Sequence, residues 1–304
     1  MTGLWKFLRT QMQVLNFKVA RDAYNLNHAL MDLSISHRNY RKYFYQDKIF
    51  VDGEIIHGKS PVFAGSTITF HIDDEFDASD QPYTPGAPEG EILFEDDLIV
   101  AMNKPAGILT HETKNFDGIT FRDYAKNTFY KLGIRQQVRF INRLDLDTSG
   151  IILIAKSDLA QGLYSKIHKD TTVKEYIAIC KGNLHEKTPV DLPIGRHEEI
   201  GTRRIIAAEG EGQEAHSIFT PLYNKGPYSI IKAQIKTGRT HQIRVHLMSL
   251  GIQILGDVMY GVGIDGMYRQ ALHSFRLRTN AGGREVDVFA EMPEDMKELI
   301  RRIF

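Results

Sequence analysis

Apolar and polar residues alternate in short runs along most of the chain, and few stretches have the three-to-four-residue apolar spacing of a helix. That spacing predicts helices at residues 120–132, after Ser157 and after Pro293. Many strands with short connections and fewer helices predict an α+β fold with a largely antiparallel mixed sheet. The predicted strands lie at two positions within 92–104 and at 138–141, 151–155, 173–180, 215–223, 228–235, 271–277 and 286–289.

Residues 25–70 predict a small unit of two helices and short strands. Ser36 is placed to cap the second helix, which carries Arg38, Arg41 and Lys42 beside aromatic residues. The three basic side chains either bind a polyanion or only keep one face of the helix soluble. The pattern leaves both interpretations open.

Charge is uneven along the chain, although 38 basic and 38 acidic residues balance overall. Residues 1–72 carry nine Lys/Arg and five Asp/Glu, residues 73–97 carry ten acidic and no basic residues, and residues 98–304 carry 29 basic and 23 acidic residues. Two mildly basic parts thus flank an acidic one. A surplus of this size is also typical of ordinary solvated surface, so charge alone does not identify a polyanionic partner.

The acidic stretch predicts the domain organisation. Repulsion among its carboxylates and several prolines disfavour packing, which is typical of a linker. We expect a small unit at 15–75, an acidic Pro/Gly linker at 76–90 and a large domain at 91–304. The large domain is expected to stay folded when residues 1–80 are deleted.

Composition and motifs exclude several classes of protein. The single cysteine, Cys180, lies in an apolar run and is expected in the core, so no disulfide framework is possible. No stretch has the length of a membrane span, and a soluble cytoplasmic protein is expected. A Walker-type phosphate loop, Gly-x-Gly-x-x-Gly, a Gly-x-Ser-x-Gly elbow and a His/Glu pair spaced for zinc are all missing. We expect no cofactor and no metal, which leaves carboxylate chemistry.

Two carboxylates stand out between predicted strands. Asp145 and Asp147 are two positions apart and would share one face of an extended segment. Close carboxylates beside a sugar bond are typical of glycosyl chemistry. The run Asp147-Thr148-Ser149-Gly150 is also typical of a turn whose side chains bind the backbone. Asp145, between Leu144 and Leu146, has no such local explanation.

Residues 236–251 contain a second polar motif. Thr240 is a candidate N-cap, and Gly251 is placed to end the predicted helix. His241 and Arg244 would then lie three positions apart on one side, with Arg244 next to the apolar stripe. A half-buried guanidinium needs an anionic partner, and a carboxylate so paired stays ionised as a nucleophile or base. A purely structural ion pair is the alternative.

Four motifs in register resemble the RluA/RluD-type pseudouridine synthases. They are NRLDLDTSG at 142–150, TGRTHQIRVHL at 237–247, MNKPAG at 102–107 and LGD at 255–257. The N-terminal unit resembles the alpha-L RNA-binding module first described in a ribosomal protein. The synthase motifs and this module together extend the likeness over residues 20–300. The resemblance implies a pseudouridine synthase fold, plus a small N-terminal α/β RNA-binding module.

The resemblance also implies catalytic roles. Asp145 matches the aspartate that acts on a uridine, so that the bond from the sugar to the ring nitrogen breaks, the uracil turns over and a carbon–carbon bond forms. Tyr176 matches the tyrosine that stacks on the uracil and assists the late proton abstraction, although a core aromatic is the alternative. Arg244 matches the basic partner of the aspartate. The family uses no cofactor or metal.

RNA contacts are implied as well. Arg143 matches the arginine that occupies the gap left by a flipped nucleotide. Asn142 stands where the family usually has histidine, which affects RNA contact more than catalysis. The remaining implied RNA-contact residues are Arg239 and His241 near the chemistry and Arg38, Arg41 and Lys42 on the N-terminal module.

The sequence therefore predicts isomerisation of uridine in structured RNA. Large-subunit ribosomal RNA is the expected target, transfer RNA stays open, and a monomer is expected. One alternative is a catalytically inactive RNA-binding or assembly factor, which would not need Asp145, Tyr176 and Arg244 together. A sugar-bond hydrolase is another, and Asp147 would have to be its second carboxylate.

Overall fold

The computed structural model describes residues 13–56, 58–76, 82–113, 116–167, 172–208, 210–281 and 283–304, with side chains except at 165–167. Six helices lie within these ranges: α1 Leu26–Asp32, α2 His37–Tyr45, α3 Phe121–Lys131, α4 Asp158–Ile167, α5 Gln242–Ser249 and α6 Glu294–Ile303. None of them combines the length and apolar character needed to cross a bilayer.

The described ranges also hold seventeen strands. Eight of them precede α4: β1 Gln13–Lys18, β2 Ile49–Val51, β3 Glu54–Ile55, β4 Thr67–Ile72, β5 Glu91–Glu95, β6 Ile99–Lys104, β7 Arg139–Phe140 and β8 Ser149–Ala155. The other nine are β9 Val173–Lys181, β10 Thr188–Val190, β11 Ile194–Arg196, β12 Arg204–Ile206, β13 Ser217–Lys225, β14 Tyr228–Ile235, β15 Gln253–Ile254, β16 Leu272–Ala281 and β17 Arg284–Phe289.

A large sheet organises the chain after residue 90. Its strand order is β10-β13-β14-β9-β16-β8-β6-β5, and β15, β17 and β7 pair at β9, β16 and β8. The pairing is antiparallel except between β8 and β16, which run parallel. Gly150 permits this close approach, because a Cβ there would lie 2.2 Å from the carbonyl oxygen of Ser274. The predicted α+β fold with a largely antiparallel mixed sheet is confirmed.

Strand β8 is buried along its whole length and separates two hydrophobic cores. Ile151, Leu153 and Ala155 face one core, whereas Ile152 and Ile154 face the other. Side chains alternate between the two faces of a strand, so a fully apolar run is expected where both faces are covered. The second core includes residues from α3, α5 and α6.

The N-terminal unit forms its own sheet, in the order β1-β4-β2-β3, with α1 and α2 packed against it. Asp52 and Gly53 join β2 to β3 with φ of 51° and 89°, the primed turn that their sequence favours. Strand β1 was not predicted, although Leu15 and Phe17 alternate with exposed residues. It pairs antiparallel with β4 along its whole length.

The N-terminal unit shares a hydrophobic core with the large domain. Tyr43 on α2 donates a hydrogen bond to Asp158 at the start of α4, and Lys42 pairs with the same carboxylate at 2.5 Å. Gly162 lets α4 approach α2, because a Cβ there would lie 2.2 Å from the side-chain nitrogen of Asn39. Removing residues 1–80 would expose part of this core. The folding of the large domain without these residues stays a prediction.

The acidic stretch that starts at residue 73, which includes the predicted linker at 76–90, packs against the large domain where the structure describes it, although its sequence disfavours packing. Arg135 pairs with Asp74 at 3.3 Å, and Arg139 pairs with Glu75. Further along, the backbone N–H of Thr84 donates to the side chain of Asn127 on α3 at 2.9 Å. Basic and amide groups of the large domain thus compensate the acids and order the connector. The predicted linker also includes residues 77–81, which lie outside the described ranges.

The register of three strands separates Tyr176 from the N-terminal unit. Tyr176 on β9 pairs with Ser274 on β16, which pairs with Gly150 on β8. Paired residues point to the same face of a sheet, so Tyr176 lies on the face of Ile152. Ile151 points to the opposite face, where it joins the core of the N-terminal unit.

Candidate active site

Asp145 lies in a turn whose backbone is held at every carbonyl from residue 144 to 147. The hydroxyl of Thr110 donates to carbonyl 144 at 3.0 Å, and the Thr148 N–H closes the turn on carbonyl 145 at 3.2 Å. Lys104 donates to carbonyl 146 at 2.9 Å, and Arg269 donates to carbonyl 147 at 3.2 Å. The Asp145 side chain therefore extends from a fixed backbone.

The side chain of Asp145 meets Arg244 of α5. Arg244 Nη1 donates to Asp145 Oδ2 at 3.2 Å, while Nε and Nη2 donate to the two oxygens of Asp257 at 2.6 and 2.8 Å. The Asp257 side chain is fully buried and also accepts the N–H groups of Met259 and Tyr260. Burial would lower the pKa of Arg244, but Asp257 and Asp145 outweigh it and raise that pKa. Arg244 thus stays a cation between two carboxylates.

Helix α5 begins later than predicted, with His241 rather than Thr240 at its N-cap. His241 has φ of 60°, a left-handed conformation that ends the preceding loop. The Gln242 side chain accepts the Arg239 N–H at 3.0 Å and the Thr237 hydroxyl at 2.8 Å, so an amide holds this loop. Gly251 ends the helix, as predicted, with φ of 73°.

His241 is the second partner of Asp145. Its Nε2 lies 4.0 Å from Asp145 Oδ2, and its Nδ1 lies 2.9 Å from the hydroxyl of Tyr260. His241 at the N-cap and Arg244 within the helix both approach this carboxylate. The Tyr260 ring also faces Arg244, with 4.9 Å between the guanidinium carbon and the ring centre.

Tyr176 completes the cleft. It lines the same cavity as Asp145, Arg143 and Arg239, and its side chain is 5% exposed. Burial raises the pKa of Tyr176 to about 12, with Asp145 adding to the effect and Ser274 opposing it, so the phenol is neutral at pH 7. A neutral aromatic face beside a carboxylate suits a flat ligand.

A second cleft continues from the first and is basic. Arg143, Tyr176 and Arg239 line both clefts, and Lys174 and Lys236 are added in the second. Arg143 is exposed and makes no hydrogen bond or ion pair within the described residues. Arg239 is anchored through Nε to the carbonyl of Glu214 at 2.9 Å. The cleft thus offers one unengaged and one fixed guanidinium to a polyanion.

Asn142 and Asp147, in the motif at 142–150, contribute to the backbone structure around Asp145. Asn142 bonds to the backbone of β8 through both ends of its amide, to the carbonyl of Ile151 at 3.0 Å and the N–H of Leu153 at 2.7 Å. The turn predicted at 147–150 begins instead at Asp145, and Asp147 is one of its two central residues. The Asp147 carboxylate makes no hydrogen bond within the described part of the chain, so it does not support an Asx turn.

The three basic residues of α2 lie apart from this cleft. Arg38 and Arg41 are exposed, and Arg41 lies over the ring of Tyr45. Lys42 is engaged by Asp158 of the large domain, as described above. The structure therefore groups Asp145, Tyr176, Arg244, Arg143, Arg239 and His241, and it leaves the α2 residues on another surface. Among the described residues, no three His, Cys, Asp or Glu side chains are grouped to hold a metal ion.

Sequence reasoning gave no role to Asp257, Tyr260 or Lys104. Lys104 is fully buried and its ammonium donates to three backbone carbonyls, one of them in the Asp145 turn. Asp257 and Lys104 both lie in the recognised motifs, and a charged residue inside an apolar motif was the available signal. Tyr260 had no such signal, because its partners are brought together only by folding.

Known proteins are similar to this chain over about 70% of its length. A model of the RNA pseudouridylate synthase family matches residues 98–249. The RNA pseudouridine synthase YhcT of Bacillus subtilis is 37% identical over 224 residues, which cover 72% of this chain and 74% of that protein. Ribosomal large subunit pseudouridine synthase D of Zymomonas mobilis is 34% identical over 232 residues, covering 70% and 72%.

A solved structure shows the same fold. Human RNA pseudouridylate synthase domain containing 1 superposes with a TM-score of 0.55 at 23% identity, covering 72% of this chain and 97% of that one. Fold and sequence together define the class as the RNA pseudouridine synthases, which are isomerases. The chain belongs to the RNA pseudouridylate synthase family.

Proposed function

We propose that this synthase converts uridines of large-subunit ribosomal RNA to pseudouridine, with Asp145 as the catalytic residue. The observation that carries the proposal is the Asp145 carboxylate, hydrogen-bonded to Arg244 at 3.2 Å in a cleft lined by Tyr176. Relatives named ribosomal large subunit pseudouridine synthase D support the ribosomal target.

The roles of the residues follow from their positions. Asp145 acts on the flipped uridine while the bond from the sugar to the ring nitrogen breaks and carbon 5 of the uracil becomes bonded to the sugar. The neutral ring of Tyr176 stacks on the uracil, and its hydroxyl assists removal of the carbon 5 proton. Arg244 orients Asp145 through its hydrogen bond to Oδ2. The unengaged Arg143 fills the gap in the RNA, with Arg239 and His241 beside it.

A hydrolase would need a second carboxylate placed for general-acid work. Asp257 is fully buried against Arg244, and Asp147 does not line the cleft with Asp145. Burying a guanidinium costs stability. A protein that only binds RNA would have no need to bear this cost in order to hold a carboxylate in the cleft. Isomerisation is therefore the function that this geometry supports best.

We also propose that residues 15–75 act as an RNA-binding module, joined by the connector at 76–90 to a catalytic domain at 91–304. The exposed Arg38 and Arg41 support phosphate contact, whereas Lys42 is engaged within the protein and contributes less. A monomer acting in the cytoplasm is part of the proposal, because Asp145, Tyr176 and Arg244 all come from one chain.

Tritium release from RNA labelled at carbon 5 of uracil tests the function. We expect the wild-type protein to release tritium from large-subunit RNA transcribed in vitro. The variant Asp145→Asn should lose activity by about 10²–10⁴-fold or more while it still binds RNA. Asp147→Asn, the matched control, should retain most activity.

Each other outcome has a defined meaning. Release from transfer RNA but not from ribosomal RNA would overturn the target and leave the reaction class intact. No release from either RNA, or undiminished release by Asp145→Asn, would overturn the proposed chemistry. Free uracil in place of pseudouridine would indicate a hydrolase.

A further inference from the structure

The loop after β15 contacts both partners of Asp145. Asp257 holds the guanidinium of Arg244 through two hydrogen bonds, and the Tyr260 hydroxyl lies 2.9 Å from Nδ1 of His241. The Tyr260 ring lies against Arg244 at the same time. One short loop thus fixes two groups that converge on a single carboxylate.

The hydrogen-bond partners of Tyr260 determine the tautomer of His241. The backbone N–H of Arg204 donates to the Tyr260 oxygen at 2.5 Å, so this contact uses an acceptor site of the hydroxyl. Tyr260 is 4% exposed, and within the described residues the only other hydrogen-bond partner of its hydroxyl is His241. If Nδ1–H donated to the second acceptor site instead, the buried hydroxyl proton would have no partner, which is costly. The hydroxyl is therefore assigned as the donor, and Nδ1 of His241 as the unprotonated acceptor.

A histidine that accepts at Nδ1 carries its proton on Nε2. Nε2 is the atom that faces Asp145 Oδ2 at 4.0 Å. The charged groups around the imidazole are Asp145, Arg244, Arg204 and Asp257, and burial lowers the pKa of His241 despite the two carboxylates. His241 thus points a neutral N–H at the carboxylate.

Arg244 and His241 both approach the same oxygen of the Asp145 carboxylate. Arg244 Nη1 and His241 Nε2 each approach Oδ2. Oδ1 makes no hydrogen bond within the described residues. The carboxylate therefore has one oxygen occupied by the protein and one oxygen available to a ligand.

We propose that Tyr260 is a positioning residue, whose hydroxyl selects the Nε2–H tautomer of His241 so that Asp145 presents Oδ1 to the uridine. The inference rests on the proposed catalytic role of Asp145. Tyr260 itself does not touch the substrate. It acts through His241, so removing its hydroxyl lowers kcat more than it changes KM.

The variant Tyr260→Phe removes the hydroxyl and keeps the ring against Arg244. We expect kcat on labelled RNA to fall about fivefold, the cost of one hydrogen bond, with KM changed less than about twofold. Long-range ¹H–¹⁵N correlation spectra of histidine-labelled protein should show Nε2–H alone in the wild type. In Tyr260→Phe they should show a mixture of tautomers. His241→Gln identifies the His241 signals by their loss.

A double variant separates this effect from general destabilisation. Glutamine at position 241 carries an amide N–H at the place of Nε2 and has no tautomers. Adding Tyr260→Phe to His241→Gln should therefore change kcat much less than it does in the wild type. An equal loss in both backgrounds would overturn the inference, as would wild-type spectra that show Nδ1–H or unchanged spectra in Tyr260→Phe. The spectra do not depend on activity, whereas an active Asp145→Asn would overturn the proposed function instead.

Discussion

Arg244 Nη1 lies 3.2 Å from Oδ2 of Asp145, although 99 positions separate the two residues in the sequence. The same guanidinium donates through its other two nitrogens to the buried Asp257. Arg244 is thus fixed by one carboxylate and directed at the other. Its effects on stability and on activity are therefore separable, because a different carboxylate is responsible for each.

We expect Arg244→Met to remove most activity and to lower the free energy of unfolding by about 3–5 kcal/mol, because Asp257 is left buried without its partner. Adding Asp257→Asn removes the unpaired charge and keeps an oxygen for the N–H groups of Met259 and Tyr260. Stability should largely return in the double variant, whereas activity should not. Urea unfolding and tritium release measure the two quantities. Equal stability losses in the single and double variants would contradict this account.

The stability of the protein at acid pH should depend on Asp257. Burial alone would raise the pKa of Asp257, but Arg244 and the N–H groups of Met259 and Tyr260 outweigh burial and lower that pKa. A lowered folded-state pKa stabilises the fold above the unfolded-state pKa of about 3.9, and this stabilisation is lost as the pH falls through the folded-state pKa.

Wild-type protein should therefore lose more unfolding free energy between about pH 5 and pH 2 than Asp257→Asn does. Urea unfolding at stepped pH measures the slopes of the two proteins. Parallel curves for wild type and Asp257→Asn would show that the Asp257 carboxylate does not contribute in this way.

Gly162 tests the contact between the N-terminal unit and the large domain. Replacing glycine by alanine inside a helix ordinarily stabilises a protein by about 1 kcal/mol. We expect Gly162→Ala to destabilise instead, because its Cβ would lie 2.2 Å from the side chain of Asn39. The double variant with Asn39→Ala should recover the stabilising sign in thermal unfolding. Stabilisation by Gly162→Ala alone would argue against the close contact of α2 and α4.

Salt dependence of RNA binding tests the surface of α2. Neutralising Arg38 and Arg41 together as glutamines should weaken binding and reduce the slope of log K against log salt by roughly one to two. Turnover at saturating RNA should change little, because neither residue lies in the cleft. The control replaces Lys18 and Arg21, which are exposed on the same unit outside α2. Equal effects of the two pairs would show that RNA binding depends on the net charge of the unit and not on the surface of α2.

Local signals in the sequence were sufficient for several elements. The strand predicted at 228–235 is β14, with the same bounds, because apolar and polar residues alternate along it. Helix α3, Phe121–Lys131, lies within the predicted range 120–132, and a capping box of Thr120 and Asp123 begins it. These features depend on neighbours in sequence, so propensity and spacing are enough to place them.

Features that depend on tertiary contacts were not predicted correctly. The acidic stretch from residue 73 was expected to stay unpacked, yet Asp74 and Glu75 pair with Arg135 and Arg139 of the large domain. The start of α5 was misplaced because a side-chain amide holds the preceding loop. The role of Tyr260 depends on the backbone of Arg204, 56 positions away. Spacing along the chain carries no information about such partners.

The strand register that separates Tyr176 from the N-terminal unit limits the substrates that can use both surfaces. The cleft opens on one face of the large sheet, and α2 belongs to the unit packed on the other. A single RNA bound at both places has to pass over an edge of the sheet. If α2 binds RNA as proposed, an RNA too short to pass over that edge would be held by the cleft alone, whereas a longer folded RNA would use both surfaces.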